Sequence, residues 1–165
     1  MAKALKIGID YHGVITANPE FFKDFSTLAM AQGIEIYVLS GGFEKDITEF
    51  LRQHQIPYTY IWSLADYFDK NKQLTYLSDG SFKVDNKLWN AAKAEYCEQH
   101  GINFHIDDSV LYGEHFTTPF CLYDVKNKTC CLRDNNRCCI DFDKPAKEVL
   151  HQILSVLSAS SGNFC

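Results

Sequence analysis

No stretch of this sequence is apolar for long enough to cross a bilayer, which takes about 20 residues as a helix. The opening residues Met1-Ala2-Lys3-Ala4-Leu5-Lys6 also lack the apolar region of a secretory signal. These absences lead us to expect a soluble, cytoplasmic protein with no membrane partner. A basic excess is missing too, since 16 Lys and Arg stand against 21 Asp and Glu, for a formal net charge of −5. Duplex nucleic-acid binders normally present a basic face, so no duplex nucleic acid is expected as a partner. An anionic substrate stays open, because one lysine or a bound metal ion supplies positive charge locally. Internal repeats and low-complexity segments are absent, and His54, His100, His105, His115 and His151 show no ligand spacing.

Cysteine is not scarce, but its pattern excludes an obvious disulfide framework. The count of seven is odd, and four cysteines form the adjacent pairs Cys130-Cys131 and Cys138-Cys139. Neighbours on a strand point to opposite faces, so only half of such a set shares a face. A four-thiolate zinc site between the pairs is the lesser alternative to buried cysteines, because zinc clusters usually have turn-like spacing within each pair.

A chain of 165 residues is long enough for one domain with a full core, here residues 1–158 with a flexible tail over 159–165. Its most informative stretch is Ile7-Gly8-Ile9-Asp10-Tyr11-His12-Gly13-Val14-Ile15-Thr16. An apolar strand ends in an acid, with a second titratable group and a glycine just beyond. Taken alone, it reads equally as a strand delivering reactive groups to a sheet end and as a strand whose carboxylate caps a turn.

The remaining chain alternates strands with helices. Asn18 as N-cap and Pro19 at the first helical position predict a helix carrying Phe21, Phe22, Phe25, Leu28 and Ala29, ending near Gly33. A strand over 34–39 then runs into Ser40-Gly41-Gly42, whose hydroxyl and backbone N–H groups suit a phosphate; alone it is weak evidence against a cap for the helix over 44–54, and its place in a strand-then-helix alternation raises its value. A third strand covers 58–62, and 63–85 is a small insertion holding a short helix and a turn at Ser78-Asp79-Gly80-Ser81. The helix over 86–101 has Leu88, Ala91, Ala92 and Tyr96 as its apolar set. Lys87 sits at its start, where a lysine opposes the helix dipole unless something else needs it; Lys83 and Lys93 compete with it. Strands over 103–106 and 119–125 follow, the first ending in Asp107-Asp108-Ser109, where adjacent carboxylates repel unless a cation or hydrogen bonds relieve them. A cysteine-rich hairpin over 129–142 turns at Arg133-Asp134-Asn135-Asn136, and a closing helix spans 144–158.

Alternation of this kind predicts an α/β fold: a Rossmann-like, three-layer α/β/α sandwich around a mainly parallel sheet. Asp10, His12, Ser40, Asp107 and Asp108 all fall at predicted strand ends, where ligands bind in such sheets. In this order the segments resemble the haloacid-dehalogenase-like (HAD) hydrolase superfamily, most of whose members are magnesium-dependent phosphatases. Ile9 to Thr16 looks like the nucleophile motif, Val38-Leu39-Ser40-Gly41-Gly42 like the second, Lys87 like the third, and Ile106-Asp107-Asp108-Ser109 like the acidic fourth. The resemblance spans nearly the whole chain, from Lys6 to the final helix.

It implies Asp10 as nucleophile and Mg²⁺ ligand, with the backbone carbonyl of His12 as a further ligand. Ser40, Gly41 and Lys87 would hold the phosphoryl group, and Asp108, with Asp107 in the same shell, would complete the metal site. Phosphatases of the family carry a second Asp where this sequence has His12. Two readings follow: a phosphatase working through an aspartyl-phosphate with His12 as acid and base, or a catalytically impaired or regulatory phosphate-binding module. The small insertion implies a small-cap or capless member with an open site that admits a large phosphorylated substrate. Tyr11, Phe43, Trp62 and Tyr112 are candidate walls, although each taken singly reads better as an ordinary core or rim aromatic.

Overall fold

The first apolar run forms β1 (Lys6–Asp10), and its last four residues are buried. A computed structural model, which describes residues 3–159, shows why: β1 lies inside a sheet with a neighbour on each side. Those neighbours are β2 (Glu35–Ser40) and β6 (Phe104–Asp107), both parallel to it. With β3 (Tyr60–Ser63), β7 (Phe120–Asp124), β8 (Thr129–Leu132) and β9 (Asn135–Asp141) the sheet order is β3-β2-β1-β6-β7-β8-β9. The pairings of β8 with β7 and β9 are antiparallel and the other four are parallel. The protein is therefore mixed α/β with a seven-stranded, mostly parallel central sheet.

Local chemistry sets the helix boundaries. Asn18 accepts a hydrogen bond from Phe21 N, and Pro19 opens α1 (Pro19–Ala31). Next come α2 (Glu44–Gln53) and then α3 (Leu64–Lys70), which starts where Ser63 Oγ accepts from Asp66 N. The insertion continues as a two-stranded hairpin of β4 (Thr75–Tyr76) and β5 (Phe82–Lys83). Asp85 caps α4 (Asn86–His100) through Lys87 N and Leu88 N, and Gly101 closes it in the left-handed region at φ +63°. A short helix that the sequence pattern does not announce, α5 (Val110–Gly113), follows directly on Ser109. The closing helix is α6 (Ala146–Ala159). The rest of the expected tail lies outside the described residues. Among those described, no helix is long and apolar enough to cross a membrane.

Alternate residues of β2 enter different hydrophobic clusters, as the two faces of a strand require. Ile36 and Val38 join Phe22 and Phe25 of α1, Ile47 and Leu51 of α2, and Val149, Leu150 and Ile153 of α6. Tyr37 and Leu39 join Ala94 and Cys97 of α4 with Phe116 and Phe120. From β1 the chain builds β2 and β3 on one side, then crosses to β6 and β7 on the other. The carboxyl end of β1 is thus a point where connections diverge, the usual place for a ligand crevice in such sheets.

The hairpin corrects one reading of the cysteines. Cys131 and Cys139 face each other across β8 and β9 and are joined as a disulfide, so the two pairs do not form a four-thiolate zinc site. Cys130 points the other way, into the main core, as strand alternation demands. Disulfides are rare in reducing compartments, and this one weighs against the cytoplasmic expectation.

Phe22 is the packing centre of α1, with ring contacts to Phe21, Phe25, Tyr123 and Phe142. Phe22→Ala should cost about 3–5 kcal/mol of stability in a denaturant titration. A loss below about 1 kcal/mol would mean that α1 is not seated on the sheet in this way.

Candidate active site

Four strand ends converge on one edge of the sheet, and their terminal residues supply most of the polar groups there. Asp10 ends β1, Ser40 ends β2, Ser63 ends β3 and Asp107 ends β6. All four are buried. A cavity of about 290 Å³ opens beside them, lined by Asp10, His12, Gly13, Gly41, Lys93, Asp108, Ser109 and Tyr112.

The floor of the cavity is a buried ion cluster. Lys93, 1% exposed on α4, donates from Nζ to Asp10 Oδ1 at 2.6 Å and to Asp107 Oδ2 at 2.7 Å. Asp107 Oδ2 also lies 3.1 Å from His105 Nε2, while Asp107 Oδ1 accepts from Ser109 N at 3.0 Å. His105 is fully buried and stacks on Phe116 with ring centroids 4.9 Å apart. It fits only because residue 8 is glycine, where a Cβ would meet His105 Nδ1 at 2.5 Å.

The wall opposite is built by the loops after β1 and β2. One wide turn covers Tyr11–Ile15, closed by Thr16 N donating to Tyr11 O at 3.0 Å. Gly13 sits in it at φ +78°, tight against the Asp108 carboxylate, where any side chain would both strain the backbone and strike Asp108. Ser40 Oγ accepts from Gly42 N at 3.1 Å and lies 3.3 Å from His12 Nδ1. The hydroxyl keeps its hydrogen and a second lone pair, so it can donate to Nδ1 or accept from it according to the protonation of His12. Ser63 then ties the loop down, donating to Gly42 O at 2.7 Å and accepting from Asp66 N at 3.0 Å.

Burial pushes the Asp10 carboxyl up to about 7, against the pull of Lys93. Burial acts on Asp107 in the same sense, but Lys93 and the His105 hydrogen bond outweigh it and hold that carboxyl down at about 2. For Lys93, burial works against the charge and the two carboxylates overcome it, so the ammonium is held above the ordinary lysine range. Burial and then Lys93 lower the His12 imidazole, with Asp108 opposing. Burial followed by Asp107 raises Asp108. The site thus holds more negative charge than its one lysine neutralises, a situation that a cation relieves. Asp10, Asp107 and Asp108 each offer a carboxylate oxygen within 4.8 Å of the others, an all-oxygen set that could hold a hard divalent cation.

Of the residues singled out in the sequence, Asp10, His12, Gly41 and Asp108 line the cavity, with Ser40 and Asp107 buried directly behind them. Lys87 is not brought in: it is exposed on the first turn of α4, and the lysine that reaches Asp10 is Lys93. The Asp85 carboxylate at the α4 N-terminus explains how Lys87 is tolerated there without a role in the site. Of the candidate walls, Tyr112 lines the cavity and Tyr11 is a core residue. Phe43 packs edge-on against Phe82, and Trp62 lines a separate cleft with Tyr67 and Tyr96. His105 was missed because two positions before an Asp on a strand is no recognisable ligand spacing. Lys93 had a signal: Trp89, Lys93 and Cys97 are spaced i, i+4, i+8, a lysine in the middle of an apolar helix face.

No model of a known protein family matches this chain, and no curated protein matches it.

Removing Lys93 leaves two buried carboxylates without their cation. Lys93→Met should therefore lose about 3–5 kcal/mol at pH 8, while Lys87→Met changes stability by less than about 0.5 kcal/mol. In wild type the depressed Asp107 contributes stability above its unfolded pKa, and that contribution is lost as pH falls toward about 2. In Lys93→Met the carboxylates are raised instead, so the folded variant takes up protons and its deficit shrinks as pH falls from 8 to 5. Urea titrations of both variants across that range check the sign, and a deficit that grows in acid would contradict the ion cluster.

Proposed function

We propose that the protein is a metal-dependent phosphoric-ester hydrolase that works through a phosphorylated Asp10. One observation carries the reading: Asp10 sits at the carboxyl end of β1, inside the sheet, with a buried lysine 2.6 Å away and two further acids in reach of the same point. That arrangement suits covalent phosphoryl transfer, in which a nucleophile, a fixed cation and a metal site must share one small volume. It also agrees with the HAD-like resemblance of the motifs. Alternate burial of β2 residues on α1/α2/α6 and on α4 supports the three-layer, Rossmann-like form of that fold.

Asp10, Asp108 and Asp107 would hold Mg²⁺, which when bound supplies positive charge to the phosphoryl oxygens and lowers the Asp10 pKa. The chain's own groups account for the rest. The Asp10 carboxylate attacks phosphorus, the ester P–O bond breaks, and the leaving oxygen takes a proton from the His12 imidazolium. Water then attacks the phosphoryl group on Asp10, neutral His12 accepts its proton, and the Asp10–phosphorus bond breaks to release phosphate. Lys93 fixes the direction of the Asp10 carboxylate throughout. Ser40 holds the His12 ring from Nδ1.

A regulatory phosphate-binding module is the second reading, and His12 is the residue that favours it: burial and Lys93 both work against the protonated form that the first step needs. If His12 is the acid, kcat/KM falls as pH rises through its pKa. That limb lies below the ordinary imidazole value of about 6.5. His12→Gln should remove the limb and lower kcat by about 10²–10⁴-fold. Asp10→Asn should abolish hydrolysis of an aryl phosphate measured with and without magnesium chloride. Turnover surviving in Asp10→Asn would dismiss the covalent route, and a pH profile unchanged in His12→Gln would assign the proton to another group.

A further inference from the structure

On the hydrolase reading above, a phosphoryl group enters the cavity beside Asp10, and its oxygens need hydrogen-bond donors from the lining. Lys93 is the obvious donor, but its hydrogens are already engaged. An ammonium has three N–H groups. One goes to Asp10 Oδ1 at 2.6 Å and one to Asp107 Oδ2 at 2.7 Å. The face of the Tyr112 ring lies over the same nitrogen, with its centroid 4.8 Å from Nζ, a cation–π contact. Lys93 therefore holds two acids and a ring in place. A phosphoryl oxygen can take a hydrogen from it only by displacing one of those partners.

The tyrosine that covers the ammonium carries an unused donor of its own. Its hydroxyl accepts a hydrogen bond from Trp89 Nε1 at 2.9 Å. An indole N–H only donates, so the hydroxyl hydrogen of Tyr112 is not spent on that bond. Among the described residues the hydroxyl has no second hydrogen-bond partner. Trp89 is itself fixed: its ring packs on Phe68 and on Phe82, and the indole lies against Gly41, where a Cβ would meet it at 3.0 Å. Gly41 and Tyr112 both line the cavity, so one indole spans the loop after β2 and the α5 tyrosine. Ser109 also lines the cavity, but its hydroxyl is turned to its own helix, where it accepts from Tyr112 N at 3.3 Å.

We infer, on the basis of that hydrolase reading, that Tyr112 binds the phosphoryl group: its hydroxyl, oriented by Trp89, donates to a phosphoryl oxygen, while Lys93 stays on Asp10 and Asp107 as a positioning residue. A hydrogen bond from a neutral O–H to a charged oxygen is stronger than one between neutral groups. The donor also adds contact to the phosphate without disturbing the ion cluster on the cavity floor.

The test follows binding of tungstate, a tetrahedral oxyanion, by calorimetry in magnesium chloride, alongside hydrolysis of 4-nitrophenyl phosphate. Tyr112→Phe keeps a ring over Lys93 and removes only the hydroxyl. It should weaken tungstate binding about tenfold or more and lower kcat/KM by a similar factor. Trp89→Phe leaves the hydroxyl without the group that orients it and should weaken binding about threefold. In wild type, tungstate should produce a near-ultraviolet tyrosine difference band that Tyr112→Phe lacks, a signature that a packing role would not give. Bound tungstate without that band in wild type would overturn the inference, whether or not the variants fold. Unchanged binding in Tyr112→Phe would also overturn it, and with wild-type turnover present the hydrolase reading would stand. Loss of binding in Ser109→Ala but not in Tyr112→Phe would overturn it and name the serine. Weaker binding in Tyr112→Phe, in a protein that hydrolyses no ester, would support the tyrosine and remove the hydrolase reading in favour of the regulatory module. A wild type that neither binds tungstate nor hydrolyses the ester would remove both.

Discussion

One ammonium group holds this site together. Lys93 is buried to 1% exposure, and a buried charge persists only where opposite charges and hydrogen bonds replace the lost water. Two carboxylates do so, and both come from strand ends. Ile9 and Ile106 are partners in the parallel pairing of β1 with β6, so the next residue on each strand, Asp10 and Asp107, projects from the same edge. Helix α4 delivers the lysine from the face that carries Trp89 and Cys97. The first strand is therefore tied to the successive elements α4 and β6 at one nitrogen atom, and the distances to it, 2.6 and 2.7 Å, are those of charge-assisted hydrogen bonds.

The two acids are not equivalent, and the difference has a structural cause. Asp107 has three partners, Lys93, His105 and Ser109 N, and is held as a carboxylate. Asp10 is left with burial and its acidic neighbours working against its charge. Asp107, with three partners, fixes the lysine, while Asp10, held by Lys93, is the one of the two acids that lines the cavity. A second line of hydrogen bonds, from Gly42 through Ser63 and Asp66 to Glu44 N, fixes the opposite loop to the starts of α2 and α3. The position of that loop is thus set by groups outside the cavity.

Most of the fold could be read from the sequence because its signals are local. Asn18 with Pro19, the strand ending at Asp10 and the stop at Gly101 each act within a few residues, and the helices and strands they bound are present in the structure. The acids and His12 were legible for the same reason, each standing at the end of an apolar run. Lys87 misled because its unfavourable place at a helix start suggested a functional need, whereas Asp85 answers that need by capping the helix. His105 and the Cys131–Cys139 bridge depend on which strand lies beside which, and on register across β8 and β9. That information is absent from any short window of the chain.

Charge in the cavity also limits the chemistry. A site that is short of positive charge even before a phosphate arrives cannot be a simple anion trap, since such traps rely on surplus lysines, arginines or helix N-termini. Here the acids outnumber the lysine, Asp10 and Asp108 are both pushed toward their neutral forms, and no further cation lines the cavity among the described residues. On the hydrolase reading proposed above, a cation held by the three acids would be what makes the arrangement favourable to a phosphate. Such an ion would serve the proposed hydrolase and the proposed regulatory module alike, and so does not separate them. What distinguishes them is the proton on His12, set by burial, by Lys93 and by the hydroxyl of Ser40.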